Sequence, residues 1–132
     1  LILDSSALVA LLVGEPRAAA VARALAAAEG RAMGAPTLLE AGMVLSSRLK
    51  RDSQPTLNAF LAYWQVQEIP FGSEHWREAL RAFGRFGKGK HAAGLNMGDC
   101  LTYAVAKLAG EPLLCIGNDF AKTDLELVPL EQ

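Results

Sequence analysis

Four short apolar runs constrain this chain more than any other feature: LILD at 1–4, RAMGA at 31–35, QEIPF at 67–71 and EPLLCIG at 111–117. Each has the length and composition of a β-strand, and each is parted from the next by segments of helical period. SSALVALLVG and PRAAAVARALAAAEG lie in the first gap. TLLEAGMVLSSRLK, behind Pro36, and PTLNAFLAYWQV, from Pro55, fill the second. EHWREALRAFGRF, capped by Ser73, and MGDCLTYAVAKLAG fill the third, and LELVPL at 125–130 reads as a last strand. The punctuation agrees: Pro16 and Pro36 open helices, Gly14, Gly30 and Gly110 close them, and Ser5 or Ser6 caps the first. Strands that alternate with helices build an α/β domain around a mostly parallel sheet, here of four to five strands. Short apolar strands suit burial on both faces.

Open parallel sheets bind ligands beyond the carboxyl ends of their strands, near a topological switch point. That rule directs attention to Asp4, which ends the first strand, and to Asn118 and Asp119, which follow LLCI. Each acid of the chain has an ordinary explanation when taken alone. Asp4 suits a turn or helix cap. Thr37 and Glu40 fit the S/T-x-x-E capping box. Asn96 can cap a helix whose first turn holds Asp99, where the helix dipole favours an acid. Asp119 and Asp124 fall in a loop. Their joint placement says more, because strand ends and the first turns of following helices gather at one edge of such a sheet. Several carboxylates gathered there repel each other and call for a cation, and hard oxygen donors select Mg²⁺ or Mn²⁺. The two histidines, His75 and His91, show no zinc-ligand spacing with cysteine.

The stretch FGKGKHAAGLNMGDC, residues 86–100, supplies the complementary charge. From Ala79 to Gly98 the chain carries Arg81, Arg85, Lys88 and Lys90 and no acid. A solvated loop is the plain reading; contact with a phosphate backbone is the functional one. The loop lacks the Walker pattern and does not follow a strand, so polymer binding is favoured over a mononucleotide cradle. Phe86 either packs in the core or stacks on a base. The net charge of −1 means that a nucleic acid must be held by a local patch. At 132 residues, 52% of them hydrophobic, the chain is expected to form one domain over 1–132. Cys100 and Cys115 fall in apolar runs and read as reduced core residues. No run approaches the roughly 20 residues of a membrane span, and a cytoplasmic location is expected.

These segments resemble PIN-domain proteins, specifically the VapC toxins of bacterial toxin–antitoxin pairs. LILDSSALVALLVGEP, APTLLEAGMVL, GKGKHAAGLNMGDCLTYAVAK and PLLCIGNDFAKTDL carry the resemblance in order along the chain. It implies a three-layer α/β/α fold and a metal-dependent endoribonuclease using Mg²⁺, with Mn²⁺ as the alternative. By motif, Asp4 and Asp99 are the main metal ligands, Glu40 is the third acid, and Ser6 supports Asp4. Many PIN domains place the fourth acid at the position of Gly117; here Asp119 ranks first for that role and Asp124 second, with Asn118 in support. Arg85, Lys88, Lys90 and His91 would hold RNA. A cognate antitoxin of VapB type is the implied partner, with a homodimer or a toxin–antitoxin hetero-oligomer as the assembly. The stretch LNAFLAYWQV, with Tyr63 and Trp64, is either core or part of a partner surface. Two competing classes are a non-catalytic RNA-binding module of the same fold and a receiver-type phosphoacceptor domain. The second wants a pair of acids after the first strand, where LILD supplies one.

Overall fold

Adjacent residues of a strand face opposite sides of its sheet, and here that alternation divides the core in two. The computed structural model describes residues 1–130; the expected domain end at 132 lies outside them. The order is β1 (Ile2–Leu3), α1 (Ser5–Val13), α2 (Ala18–Ala27), β2 (Arg31–Gly34), α3 (Ala35–Leu49), α4 (Gln54–Trp64), β3 (Val66–Ile69), α5 (Ser73–Phe86), α6 (Met97–Ala109) and β4 (Leu113–Leu114). Ile2 and Leu113 point into a cluster with Ala82, Phe86, Tyr103 and Val105 of α5 and α6. Their neighbours Leu3 and Leu114 point the other way, onto Leu8, Val21, Leu38 and Phe60 of α1 to α4. Helices therefore cover both faces, as expected for three layers.

The sheet is parallel throughout, in the order β3-β2-β1-β4. The chain builds outward from β1 through β2 to β3, then returns to pair β4 on the other side of β1. The switch point thus falls between β1 and β4, with Asp4 and Cys115 just past the paired residues Leu3 and Leu114. The expected last strand is shorter than its sequence suggests. Within 125–130 a single bridge joins Leu127 to Leu113, made by the Leu113 N–H to the Glu126 carbonyl at 2.9 Å and the Val128 N–H to the Leu113 carbonyl at 2.8 Å. Pro129 has no N–H to extend that ladder.

Two caps also differ from expectation. Asp4, not Ser5 or Ser6, caps α1, and Gly72, not Ser73, is the N-cap of α5, where the Gly72 N–H donates to His75 Nδ1 at 3.1 Å. His75 is thereby a helix-end residue. The stretch 57–66 divides by helix face: Phe60 is buried and Trp64 is partly packed, whereas Tyr63 is 78% exposed. Among the described residues, no helix is long and apolar enough to cross a membrane.

Candidate active site

Asp4 sits where β1 hands over to α1. Its extended backbone (φ −86°, ψ 159°) lets the side chain turn back on the helix it starts. Oδ2 accepts from the Ser6 hydroxyl at 2.6 Å and from the Ser6 N–H at 3.2 Å. Oδ1 accepts from the Thr102 hydroxyl on α6 at 2.9 Å. Ser6 Oγ in turn accepts from the Ile116 N–H at 2.9 Å, which ties Asp4 to the end of β4. Ser6 thus bridges Asp4 and the end of β4.

Glu40 arrives differently from expectation. No capping box forms with Thr37, because α3 begins at Ala35 with Gly34 as its N-cap. Pro36 fits the first turn, where its missing N–H costs nothing. This start places Glu40 in the second turn and turns Thr37 inward to meet Thr102, Oγ1 to Oγ1, at 3.1 Å. Glu40 Oε1 accepts from the Ser5 hydroxyl at 2.9 Å. Its other oxygen lies against Gly98 of α6, where a Cβ on that residue would overlap it. Asp99 follows directly. It closes a reciprocal cap with Asn96: the Asp99 N–H donates to Asn96 Oδ1 at 2.9 Å, and the Asn96 N–H donates to Asp99 Oδ2 at 3.2 Å. Asp99 is therefore both a cap residue and a member of the acid group.

Asp119 opens a single 3₁₀ turn, Phe120–Lys122, that Phe120 anchors in the core. Asn118 lies beside it on the surface, with its carbonyl accepting the Ala121 N–H at 3.2 Å. Gly117 has φ 103°, a conformation in which a side chain is strained, so an acid is disfavoured at that position. Asp124 belongs to a different cluster. It accepts from Tyr103 Oη at 2.5 Å and Lys107 Nζ at 2.9 Å, and pairs with Arg85 at 3.5 Å. Burial works against its charge, but Tyr103, Lys107 and Arg85 outweigh that and pull its carboxyl down to about 2. The second-choice ligand is thus a clamp between the C-terminal loop, α5 and α6. Its depressed pKa stabilises the fold above the ordinary carboxylate range and is lost as pH falls from about 4 towards 2. Asp124→Asn is expected to lower the urea midpoint at pH 7 and to flatten the acid limb of the stability–pH curve. An unchanged curve would remove the clamp.

The electrostatics show which acids share a space. Asp99 is pushed up to about 6, first by burial, which the Asn96 amide partly offsets, then by the charges of Asp4, Asp119 and Glu40. Among the described residues, no three acid, histidine or cysteine side chains already converge into a metal cage. The donor set nevertheless fits a hard divalent cation: Asp99 lies in the fields of Asp4, Asp119 and Glu40, and a cation would relieve that repulsion. The two nearby thiols are poor competitors. Burial raises Cys100, and burial with the charges of Asp4, Asp119 and Asp99 pushes Cys115 up to about 12. A cavity of about 940 Å³ lies at the opposite, amino edge of the sheet, between Leu1, Arg31 and Pro112, away from these acids.

The basic loop is closed at its base by Leu95, whose N–H donates to the Phe86 carbonyl and whose carbonyl accepts from the Lys88 N–H, each at 2.9 Å. Lys88 and Lys90 are exposed beyond it, with the Lys90 ammonium 5.5 Å from the Phe83 ring centre. Arg85 is partly committed to Asp124. His91 accepts the Ala93 N–H at 3.0 Å and stands edge-on to Phe86. Phe86 itself is buried against Tyr103, which gives it a core role. Residue reading alone missed Ser5, Thr102 and Gly98, and misassigned Thr37. The one signal was helical spacing: Thr37 lies three residues before Glu40 and Thr102 three after Asp99.

A parallel sheet covered on both faces, with acids gathered at its switch point, is the architecture of a PIN domain. The family model "PIN domain" matches residues 1–126, and the chain belongs to that family. Its relatives are more particular: it is 46% identical over 127 residues to "VapC ribonuclease Mb2004c" of Mycobacterium bovis, covering 96% of this chain and 91% of that one. "Ribonuclease VapC" of Mycolicibacterium smegmatis is 38% identical over 97% of this chain and 99% of its own. Among solved structures, Mycobacterium tuberculosis VapC20, described as a sarcin-ricin loop cleaving toxin, shares the fold. Its TM-score is 0.79 at 18% identity, over 96% of this chain and 97% of that one. One chain of a toxin–antitoxin complex from Klebsiella pneumoniae also shares it, with a TM-score of 0.73 at 19% identity, over 99% and 98% of the two chains.

Proposed function

We propose that this protein is a divalent-metal-dependent endoribonuclease toxin of the VapC kind, acting in the cytoplasm and neutralised by a cognate antitoxin. The observation that carries the reading is geometric: Asp4 ends β1 at the switch point, Thr102, one turn after Asp99 on α6, hydrogen-bonds it, and Glu40 of α3 lies against Gly98, the neighbour of Asp99. VapC ribonucleases at up to 46% identity support the activity, and a toxin–antitoxin complex of the same fold supports the partner.

Asp4 and Asp99 would hold the cation, with Glu40 and Asp119 completing the set. A bound Mg²⁺ or Mn²⁺ supplies charge for the scissile phosphate and an acidified water. The protein's own part is placement. Ser6 and Thr102 fix both oxygens of Asp4, Ser5 holds one oxygen of Glu40, and the Asn96 cap orients Asp99. One carboxylate of the set accepts the proton of the attacking water. Lys88 and Lys90 grip the RNA backbone without reading sequence, with Arg85 and His91 at the margin. Single-stranded or loop RNA fits such an open edge. Exposed Leu39 and Met43 of α3 offer apolar contacts to an antitoxin or a second copy.

The test is cleavage of an RNA panel by the purified protein with and without Mg²⁺ or Mn²⁺. Cutting that EDTA stops, and that leaves 5′-phosphate and 3′-hydroxyl ends, is the expected result. Cyclic phosphate ends, or cutting in EDTA, would overturn the metal-activated water.

A further inference from the structure

Thr102 has one hydroxyl proton and two polar neighbours, and that count fixes the direction of a buried chain of bonds. Asp4 Oδ1 accepts, so the Thr102 proton goes to it at 2.9 Å. Thr102 Oγ1 must then accept from Thr37, whose hydroxyl stands at 3.1 Å. The order Thr37 to Thr102 to Asp4 is the one that gives each hydroxyl a partner. All three residues are cut off from water, at 2%, 1% and 6% exposure. A hydroxyl or carboxylate oxygen left alone there would carry its full desolvation cost.

The chain of bonds also joins three of the four segments that carry the acids. Thr37 lies one turn before Glu40 on α3, and Thr102 one turn after Asp99 on α6. Asp4 ends β1. The Thr37–Thr102 bond therefore locks two helices to each other, and the Thr102–Asp4 bond locks both to the sheet. A further count concerns Asp4. A carboxylate offers about four acceptor positions. Two hydrogen bonds occupy Oδ2 and one occupies Oδ1, so the remaining position lies on Oδ1.

We propose that Thr102, supported by Thr37, is the positioning residue of this acid site: Ser6 fills Oδ2 and leaves Oδ1 open to a cation, and the Thr102 hydroxyl orients that oxygen and fixes the spacing of Asp4, Glu40 and Asp99. The proposal rests on the metal-site reading above, and its test separates the two. Thr102→Val keeps the side-chain shape and removes the donor; Thr102→Ser keeps the donor. Thr37→Val keeps the bond to Asp4 but cuts the link to α3.

Mn²⁺ affinity of each full-length protein is measured by calorimetry and by the electron paramagnetic resonance of bound Mn²⁺, well below each melting temperature and without RNA. Partners that orient metal ligands are worth about 10- to 100-fold in affinity. Thr102→Val is expected to lose binding within that range and to broaden the Mn²⁺ spectrum. Thr37→Val is expected to lose less, and Thr102→Ser to bind within about threefold of the parent. If Thr102→Val does not fold, the same proposal is decided by Thr37→Val against Thr102→Ser. Wild-type Mn²⁺ affinity in Thr102→Val, or in Thr37→Val should that arm decide, while Asp4→Asn binds none, overturns the positioning role and leaves the metal site standing. Equal Mn²⁺ binding by the parent and Asp4→Asn overturns both.

Discussion

Asp99→Asn is expected to remove RNA cleavage while making the metal-free protein more stable at neutral pH. The two effects have one cause. Asp99 is charged at pH 7 although burial and the fields of Asp4, Asp119 and Glu40 oppose that charge, which is why its carboxyl sits at about 6 instead of near 4. Asparagine removes the repulsion and keeps an oxygen to accept the Asn96 N–H, so the cap of α6 survives. On the proposed function it also removes a main cation ligand. Losing that ligand forfeits several kcal/mol of charge stabilisation, about a thousandfold or more in rate. The sign of the pH effect follows from linkage. Between about pH 4 and 6 the folded parent binds the Asp99 proton more tightly than the unfolded chain does. Stability of the metal-free parent therefore falls as pH rises through that window, and Asp99→Asn flattens the fall. On the proposed function Mg²⁺ pairs with that charge, so added Mg²⁺ is expected to raise the melting temperature more at pH 7.5 than at pH 5. Urea titrations in EDTA across this range, with single-turnover RNA cleavage at pH 7.5, measure both effects. Retained cleavage, or a mutant less stable than the parent at pH 7.5 in EDTA, would contradict this account of the site.

Gly98→Ala is expected to cost nearly as much activity for a different reason. A single methyl at that position would overlap Glu40 Oε2 and crowd Cδ at 3.0 Å. The far end of Glu40 can swing away, so the fold survives; alanine is also the better helix former by about 1 kcal/mol. What is lost is the placement of Glu40 beside Asp99. A displacement on the order of 1 Å in an active site can cost about a hundredfold in rate. Gly84→Ala is the control, since a Cβ there meets nothing within 4 Å. Both substitutions should leave the melting temperature the same or higher, and Gly98→Ala alone should lose cleavage. Full activity in Gly98→Ala would mean that Glu40 has no role tied to its present position.

Glu40 and Asp124 show where the chain could and could not be read by itself. Both are acids in suitable motifs: by resemblance Glu40 is the third acid, and Asp124 stands behind Asp119 as the second choice for the fourth. The actual start of α3 at Ala35 dissolves the Thr37–Glu40 box and frees both side chains for the interior. Asp124 is taken out of the reserve by Tyr103, Lys107 and Arg85, which lie 17 to 39 residues away in sequence. The cap reading of Asp99 holds, because its bonds with Asn96 are made within one turn.

By itself the sequence determined the order of the four strands and six helices, the parallel sheet and the switch-point edge, because periodicity, caps and strand ends are local properties of the chain. Only the tertiary structure decided how the acids are held. Ser5 on Glu40, Thr102 on Asp4, Gly98 beneath Glu40 and the Asp124 clamp each join residues far apart along the chain. Such contacts depend on how helices pack across the sheet, and no local pattern of residues encodes a distance between two helices.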